Sequence, residues 1–129
     1  MPPKSSLSAI PMFSTLARAD LEALAAIAVS KHYPRGATVF SEGHSPEGFH
    51  VMLSGRVRIF KISIEGKEQT LHVFGPRQPV GEAAVFAGAP FPAHAQTLDD
   101  CTALFFPREA FIALLESRPT IALGLLATL

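Results

Sequence analysis

The sequence predicts a mainly β domain with flanking helices, of the sandwich, barrel or jelly-roll kind. Short apolar segments recur through the middle of the chain, and turn-forming residues separate them; 9 Gly and 11 Pro occur in 129 residues. Helical spacing of apolar residues occurs only near the two ends. Strands and helices do not alternate regularly, so a parallel α/β fold is not expected.

Charge and cysteine content limit the partners of this chain. It carries 11 Lys and Arg against 11 Asp and Glu, whereas nucleic acids and anionic membranes are bound through surplus positive charge. We therefore expect neither as a partner of this segment. The single cysteine, Cys101, excludes a disulfide framework and a cysteine-held iron–sulfur cluster. It also fits a cytoplasmic location, and we expect no signal peptide and no membrane span.

The first predicted element is a helix. Apolar residues recur there at spacings of three and four, and Asp20 and Glu22 lie early, where the helix dipole favours acidic side chains. Residues 34–36, Pro-Arg-Gly, end this helical region. Its apolar positions are Leu16, Leu21, Leu24, Ile27 and Ala28.

Short strands follow between residues 38 and 106. Tight hairpin turns are predicted at Ser54-Gly55 and Glu65-Gly66, each of which ends in glycine, and another turn is predicted at Asp99-Asp100. Apolar and charged residues alternate after the first turn, and the alternation slips at Ile59-Phe60, which predicts a bulge. The predicted strands span 38–40, 49–53, 56–59, 69–74, 93–97 and 101–106.

Two helices are predicted at the C-terminal end. Pro107 opens the first, because its missing N–H costs nothing at a helix start, and Pro119 ends it. Thr120 is the predicted N-cap of the second. This last helix is apolar almost all round, so either the rest of the chain or a partner helix must cover it. The residues predicted to form a dimer interface are Ile121, Leu123, Leu125 and Leu126.

Several linked segments carry a resemblance to a known family. They are residues 34–40 followed by Glu42-Gly43, then 53–58, 65–68, 74–76 and 81–86. In this order and spacing, the chain resembles the N-terminal effector-sensing domain of the Crp/Fnr family of bacterial transcription regulators. That domain is the cyclic-nucleotide-binding β-roll, a double-stranded β-helix or jelly roll.

The resemblance implies a domain organisation and a function. Residues 1–118 would form the sensor roll with its flanking helices, and residues 119–129 would begin a dimerisation helix. The family's DNA-binding domain would lie beyond residue 129, so DNA would be contacted only through that further domain. We therefore expect a non-enzymatic, cytoplasmic regulatory module that acts as a homodimer.

The family places a phosphate-binding cassette after its Gly-Glu pair, here Gly81, Glu82, Ala83 and Ala84. Glu82 would accept a hydrogen bond from a ribose hydroxyl. The family's arginine and small hydroxyl residue fall, by counting, at Pro92 and Ala93, and neither side chain can donate. A buried phosphate without its guanidinium loses roughly 2–5 kcal/mol. We therefore expect an effector other than cyclic AMP, unless Arg77 reaches the phosphate instead.

The resemblance is strongest to the nitrogen-oxide-responsive branch of the family, whose members are thought to use heme. Imidazole is the common axial ligand of heme. His72 and His94 flank the cassette and are the candidate ligands, although a histidine on a short strand also fits a surface or hydrogen-bonded role. Pro2 would offer an N-terminal ligand. The cofactor stays undetermined at this stage.

Two alternatives remain from the sequence. The chain could be a true cyclic-nucleotide-binding domain whose missing arginine is replaced from elsewhere. It could also be a cupin-like metalloenzyme, which shares the roll but needs clustered histidines on facing strands. His44 and His50 are six residues apart, which is not a recognised metal-ligand spacing.

Overall fold

A computed structural model describes residues 7–129. The helices are α1 (Arg18–Ile27), α2 (Glu82–Ala87), α3 (Arg108–Ser117) and α4 (Pro119–Leu126), with a 3-10 turn at Pro11–Phe13. The strands are β1 (Val29–Tyr33), β2 (Thr38–Phe40), β3 (Gly48–Ser54), β4 (Val57–Ile62), β5 (Glu68–Phe74), β6 (Pro79–Val80), β7 (His94–Thr97) and β8 (Cys101–Pro107).

The strands form two four-stranded antiparallel sheets that pack face to face. The strand order is β1-β8-β3-β6 in the first sheet and β2-β7-β4-β5 in the second. The register of β4 and β5 shifts between Ile59 and Phe60, which confirms the predicted bulge. Gly55 makes the predicted turn at φ 82, and a Cβ there would lie 2.5 Å from the Asp100 carbonyl oxygen, so only glycine fits. The predicted mainly β fold with flanking helices is confirmed.

Two apolar cores hold the fold together. One lies between the sheets and includes Met52, Val57 and Ala103. The other lies between the first sheet and the helices, and includes Phe106 and Phe111. The first sheet is thus covered on both faces, and this explains why β3 is buried at five consecutive residues rather than at alternate ones.

Some element boundaries differ from the prediction. Strand β1 is not predicted by the sequence pattern, because its residues are mostly exposed and it pairs only with β8 at the edge of the sheet. Strand β6 is not predicted either, since it has only two residues. Helix α4 begins at Pro119, so Thr120 is not its N-cap. Proline suits this first helical position, since its missing N–H would have no partner there.

A buried carboxylate joins the two ends of the chain. Asp20 of α1 accepts hydrogen bonds from Arg118 Nε at 2.9 Å and from Thr120 Oγ1 at 2.8 Å. The Asp20 side chain is buried, whereas the Arg118 side chain is 39% exposed. Thr120 therefore fastens the α3–α4 junction to α1, and this three-residue contact positions α4 against the roll.

Replacing Arg118 with methionine tests the strength of this contact. The change leaves the buried Asp20 carboxylate with Thr120 as its remaining side-chain donor. We expect the free energy of unfolding to fall by about 2 kcal/mol, less than for a fully buried pair because Arg118 is partly solvated. Urea unfolding measures this. Arg18→Met is the matched control, since the Arg18–Glu22 pair is exposed and its loss should cost at most about 0.5 kcal/mol. Equal losses in the two variants would contradict the assignment.

Candidate ligand-binding site

The predicted cassette forms a short helix behind a glycine. Strand β6 ends at Val80, Gly81 has φ 83, and α2 follows as predicted. A Cβ on Gly81 would lie 3.0 Å from the Phe91 ring and 3.1 Å from the Phe40 ring. Glycine is therefore favoured here both by the left-handed backbone and by the close approach of the two rings.

The cassette closes one side of a cavity of about 170 Å³ that lies against the second sheet. All six residues predicted for the effector site line this cavity, so the structure brings them together. Glu82 is the only charged side chain among the described residues of its wall. The lining residues are Phe40, Ile59, Phe74, Gly81, Glu82, Ala83, Ala84, Phe91, Pro92 and Ala93.

Phe91 is the site residue that sequence reasoning missed. Its buried ring stacks on Phe40, with centroids 3.9 Å apart and planes 6° from parallel. Its backbone is held by the loop after β2: Phe91 N–H donates to the His44 carbonyl, and Gly43 N–H donates to the Phe91 carbonyl. The signal that could have found it is an aromatic residue directly before Pro92. The ring pair fills the space in front of Gly81.

Positive side chains lie elsewhere. Within residues 7–129, no Arg, Lys or His lines this cavity. Arg77 is held in the preceding loop with φ 71, where its N–H donates to the Met52 carbonyl. The Arg108 guanidinium donates to the Val85 carbonyl near the C-terminal end of α2, the end of a helix that favours a cation. The cavity is thus apolar with one acidic group.

The cavity is also small. Its volume of about 170 Å³ is close to that of an engineered cavity of about 150 Å³ that takes up benzene. It is below the range of about 300–1,000 Å³ typical of pockets that bury larger organic ligands. By volume the cavity matches a compact apolar molecule, and it would have to widen to enclose a nucleotide or a porphyrin.

The two candidate heme ligands lie on opposite faces of the second sheet. His94 pairs opposite Phe60, away from the interior, and its Nδ1 accepts a hydrogen bond from Glu42 N–H at 3.2 Å. His72 pairs opposite Ile59, which lines the cavity, but the His72 side chain is exposed. Side chains alternate between the two faces of a strand, so the pairing of each histidine determines the face on which it lies. Pro2 lies outside the described residues.

The predicted dimer residues divide between two faces of α4. Ile121 and Leu125 are buried in the chain's own core, whereas Leu123 is 65% exposed and Leu126 is 61% exposed. Of the four residues predicted to form the interface, Ile121 and Leu125 are thus occupied within the chain, and Leu123 and Leu126 are exposed to a partner; the interface itself stays a prediction. Residues 121 and 125 are four apart, so they lie on the one helix face that packs inward.

The described residues offer neither a metal-binding cluster nor a membrane-spanning helix. Among residues 7–129, no three His, Cys, Asp or Glu side chains form a group able to hold a metal ion, and a cupin-type centre requires such a group. None of the helices in the described part of the chain has the length and hydropathy that a membrane span requires.

The roll, the cassette and the cavity behind it define the class of domain. A family model for the cyclic nucleotide-binding domain matches residues 30–118, and the chain belongs to that family. It is 33% identical over 97 residues to the CRP-like cAMP-activated global transcriptional regulator of Mycobacterium tuberculosis. That match covers 75% of this chain and 43% of the relative, so the chain spans less than half the length of this regulator.

Solved structures of sensor domains show the same fold. The sensor domain of the transcriptional regulator DNR from Pseudomonas aeruginosa superposes with a TM-score of 0.83 and 29% identity, over 96% of this chain and 83% of that one. The N-terminal domain of a transcriptional regulator from Streptomyces coelicolor gives a TM-score of 0.83 and 28% identity, over 95% and 86% of the two chains. These matches confirm the predicted relation to the Crp/Fnr family.

Proposed function

We propose that the chain is the effector-sensing domain of a dimeric Crp/Fnr-type transcription regulator and that its effector is not cyclic AMP. The observation that carries the proposal is the cassette cavity, whose only charged lining residue is the acidic Glu82. A cyclic phosphate placed there would meet a carboxylate and two phenylalanine rings instead of a guanidinium. The regulatory role is supported by the relatives reported above, which are described as transcriptional regulators.

The expected deficit in affinity is large. Burying an anion without its cationic partner costs roughly 2–5 kcal/mol, or about 30-fold to several thousand-fold in affinity. The stacked rings of Phe40 and Phe91 add a steric cost, because they must separate to admit a nucleotide. The alternative of a true cyclic-nucleotide domain therefore depends on Arg77 or another cation moving into the cavity.

Calorimetry with cyclic AMP and cyclic GMP tests the proposal. We expect no binding at low micromolar concentrations, with the cAMP-activated Mycobacterium tuberculosis relative as the positive control. Low-micromolar binding to this chain would overturn the proposal. In that case Arg77→Gln, compared with Arg35→Gln as the control, shows whether Arg77 supplies the cation.

One candidate effector system other than cyclic AMP is a heme that responds to nitrogen oxides or redox state. Of the two candidate ligands, His72 is the one whose position fits this hypothesis. This residue adjoins the cassette cavity through Phe74, with ring centroids 4.3 Å apart, whereas His94 lies on the other face. Soret absorbance after heme addition that is lost in His72→Ala would support this hypothesis, and an unchanged spectrum would count against it.

Signal transmission would use the cassette, residues 81–93, and helix α4. In the family the effector lies between the roll and this helix, and effector binding shifts the population of dimer arrangements. Here Asp20 fastens the start of α4 to α1, while Leu123 and Leu126 lie on its exposed side. If α4 continues into a DNA-binding domain, a change in the dimer arrangement of this helix would change the orientation of that domain.

A charge on the exposed side of α4 should break the dimer. We expect Leu126→Glu to weaken self-association at least tenfold, because it places a carboxylate in an apolar interface without a partner. Sedimentation equilibrium measures this. Leu71→Glu is the matched control, since Leu71 is also exposed, at 52%, but lies on β5. Dissociation of both variants alike, or of neither, would contradict an interface on α4.

A further inference from the structure

A second cavity lies on the other side of the Phe40–Phe91 ring pair. Its volume is about 270 Å³, and the two rings line both cavities, so they form the wall between them. The second cavity differs in its chemistry because polar and charged groups line it as well. Its lining residues are Lys31, Tyr33, Val39, Phe40, Ser41, His44, Ser45, Glu47, Gly48, His50, Phe91 and Phe105.

A buried histidine and a tyrosine form one wall. The Tyr33 hydroxyl lies 2.8 Å from His50 Nε2, and His50 is 5% exposed. His50 Nδ1 is buried without a hydrogen-bond partner in the described part of the chain. Desolvation, together with the charge of Lys31, lowers the pKa of His50 to about 4, so the ring is neutral near pH 7.

The neutral ring carries one hydrogen, and its position decides what Tyr33 can do. A hydrogen on Nδ1 would leave a buried donor without an acceptor, which costs more than an acceptor without a donor. We therefore assign the hydrogen to Nε2, which donates it to the Tyr33 oxygen. The hydroxyl hydrogen of Tyr33 is then available to an acceptor in the cavity.

A cation, Lys31, lines the same cavity as this donor. Lys31 Nζ is 5.2 Å from the centroid of the Phe105 ring, and the same ring lies 4.9 Å from His50. The lining also contains an acidic residue, Glu47, which is exposed. Ser41, His44 and Ser45 add further polar groups to the lining, and Phe40 and Phe91 are among its apolar residues. A hydroxyl donor and an ammonium group in one cavity with aromatic rings fit an aromatic acid.

We propose that this cavity binds a small aromatic carboxylate, with the carboxylate on the Tyr33 hydroxyl and the Lys31 ammonium and the ring against Phe40 and Phe91. The volume of about 270 Å³ exceeds the roughly 150 Å³ that accommodates benzene, so a monosubstituted ring fits. A ligand here presses on the ring pair that also closes the cassette cavity, and this contact couples the second site to the cassette. The proposal does not depend on which effector the cassette accepts.

A titration of the ¹⁵N-labelled chain with benzoate tests the site. We expect saturable shifts of the amide signals of Tyr33, His50 and Phe91, and at least tenfold weaker binding of benzamide, which has the same shape without the charge. Three outcomes overturn the proposal: no saturable shift with benzoate, equal binding of benzamide, or shifts confined to Gly81 and Ala83 in the cassette cavity.

Substitutions locate the carboxylate. Tyr33→Phe should weaken benzoate binding about tenfold, the loss of a hydrogen bond to a charged acceptor. Lys31→Gln should weaken it several-fold, while Lys67→Gln, at an exposed turn between β4 and β5, should leave it unchanged. If Tyr33→Phe fails to fold, the benzoate affinity of Lys31→Gln tests the site instead, because Lys31 is exposed and its replacement should not disturb folding. Unchanged benzoate affinity in Lys31→Gln overturns the proposal. The cyclic AMP titration tests the proposed function independently of this result.

Discussion

Replacing Phe91 with alanine is expected to lower the free energy of unfolding by about 3 kcal/mol, within the range for large-to-small changes of buried aromatic residues. The ring is buried, stacks on Phe40 at 3.9 Å and lies against Gly81. Its removal joins cavities of about 170 and 270 Å³ into one larger space. The cost is therefore a lost transfer free energy together with an enlarged cavity that the rigid sheets cannot close.

Urea unfolding of Phe91→Ala and Phe86→Ala provides the comparison. Phe86 lies on α2 of the same cassette but is 45% exposed, so its loss should cost about 1 kcal/mol. The two variants remove the same group of atoms, so the difference reports burial together with a smaller contribution from the higher helix propensity of alanine at position 86. A Phe91→Ala loss no larger than that of Phe86→Ala would show that the ring pair does not hold the cassette.

The second large expected effect is a dependence of stability on pH that arises from His50. Its pKa is about 4 in the folded chain against 6.5 for an ordinary histidine. Between these values the unfolded chain binds a proton that the folded chain does not, so folding is disfavoured as the pH falls from 6.5 towards 4. The stability lost across this window is about 3 kcal/mol.

Urea unfolding at a series of pH values between 4 and 7 measures this loss. We expect His50→Gln to flatten the pH dependence in this window and His32→Gln, an exposed histidine on β1, to leave it as in the parent chain. The comparison of slopes is insensitive to any constant loss that the glutamine itself causes. An unchanged slope in His50→Gln would show that another group titrates there.

The strands could be predicted largely because their turns are chemically marked. Gly55 and Gly66 both have positive φ, and the predicted hairpins turn at these residues. The bulge at Ile59 follows from the slipped alternation. Strand β1 could not be predicted in this way, since an edge strand with mostly exposed residues has no apolar pattern.

The site could be predicted only in part. The Gly-Glu motif placed residues 81–84 correctly on the cavity wall, but position along the chain does not show that the ring of Phe91 lies over Gly81. Helix α4 is nearly uniformly apolar, so the sequence could not tell the buried Ile121 from the exposed Leu123. The role of Asp20 depends on Arg118, 98 residues away, which no local pattern reveals.

A crystal structure of the protein grown with excess cyclic AMP tests the central claim most directly. The claim is that the cassette keeps its shape while its cavity holds no positive group. We expect the rings of Phe40 and Phe91 to remain stacked and the space in front of Gly81 to contain no nucleotide. A cyclic nucleotide seated in the cassette cavity in front of Gly81, with the guanidinium of Arg77 or another arginine on its phosphate, would contradict the account.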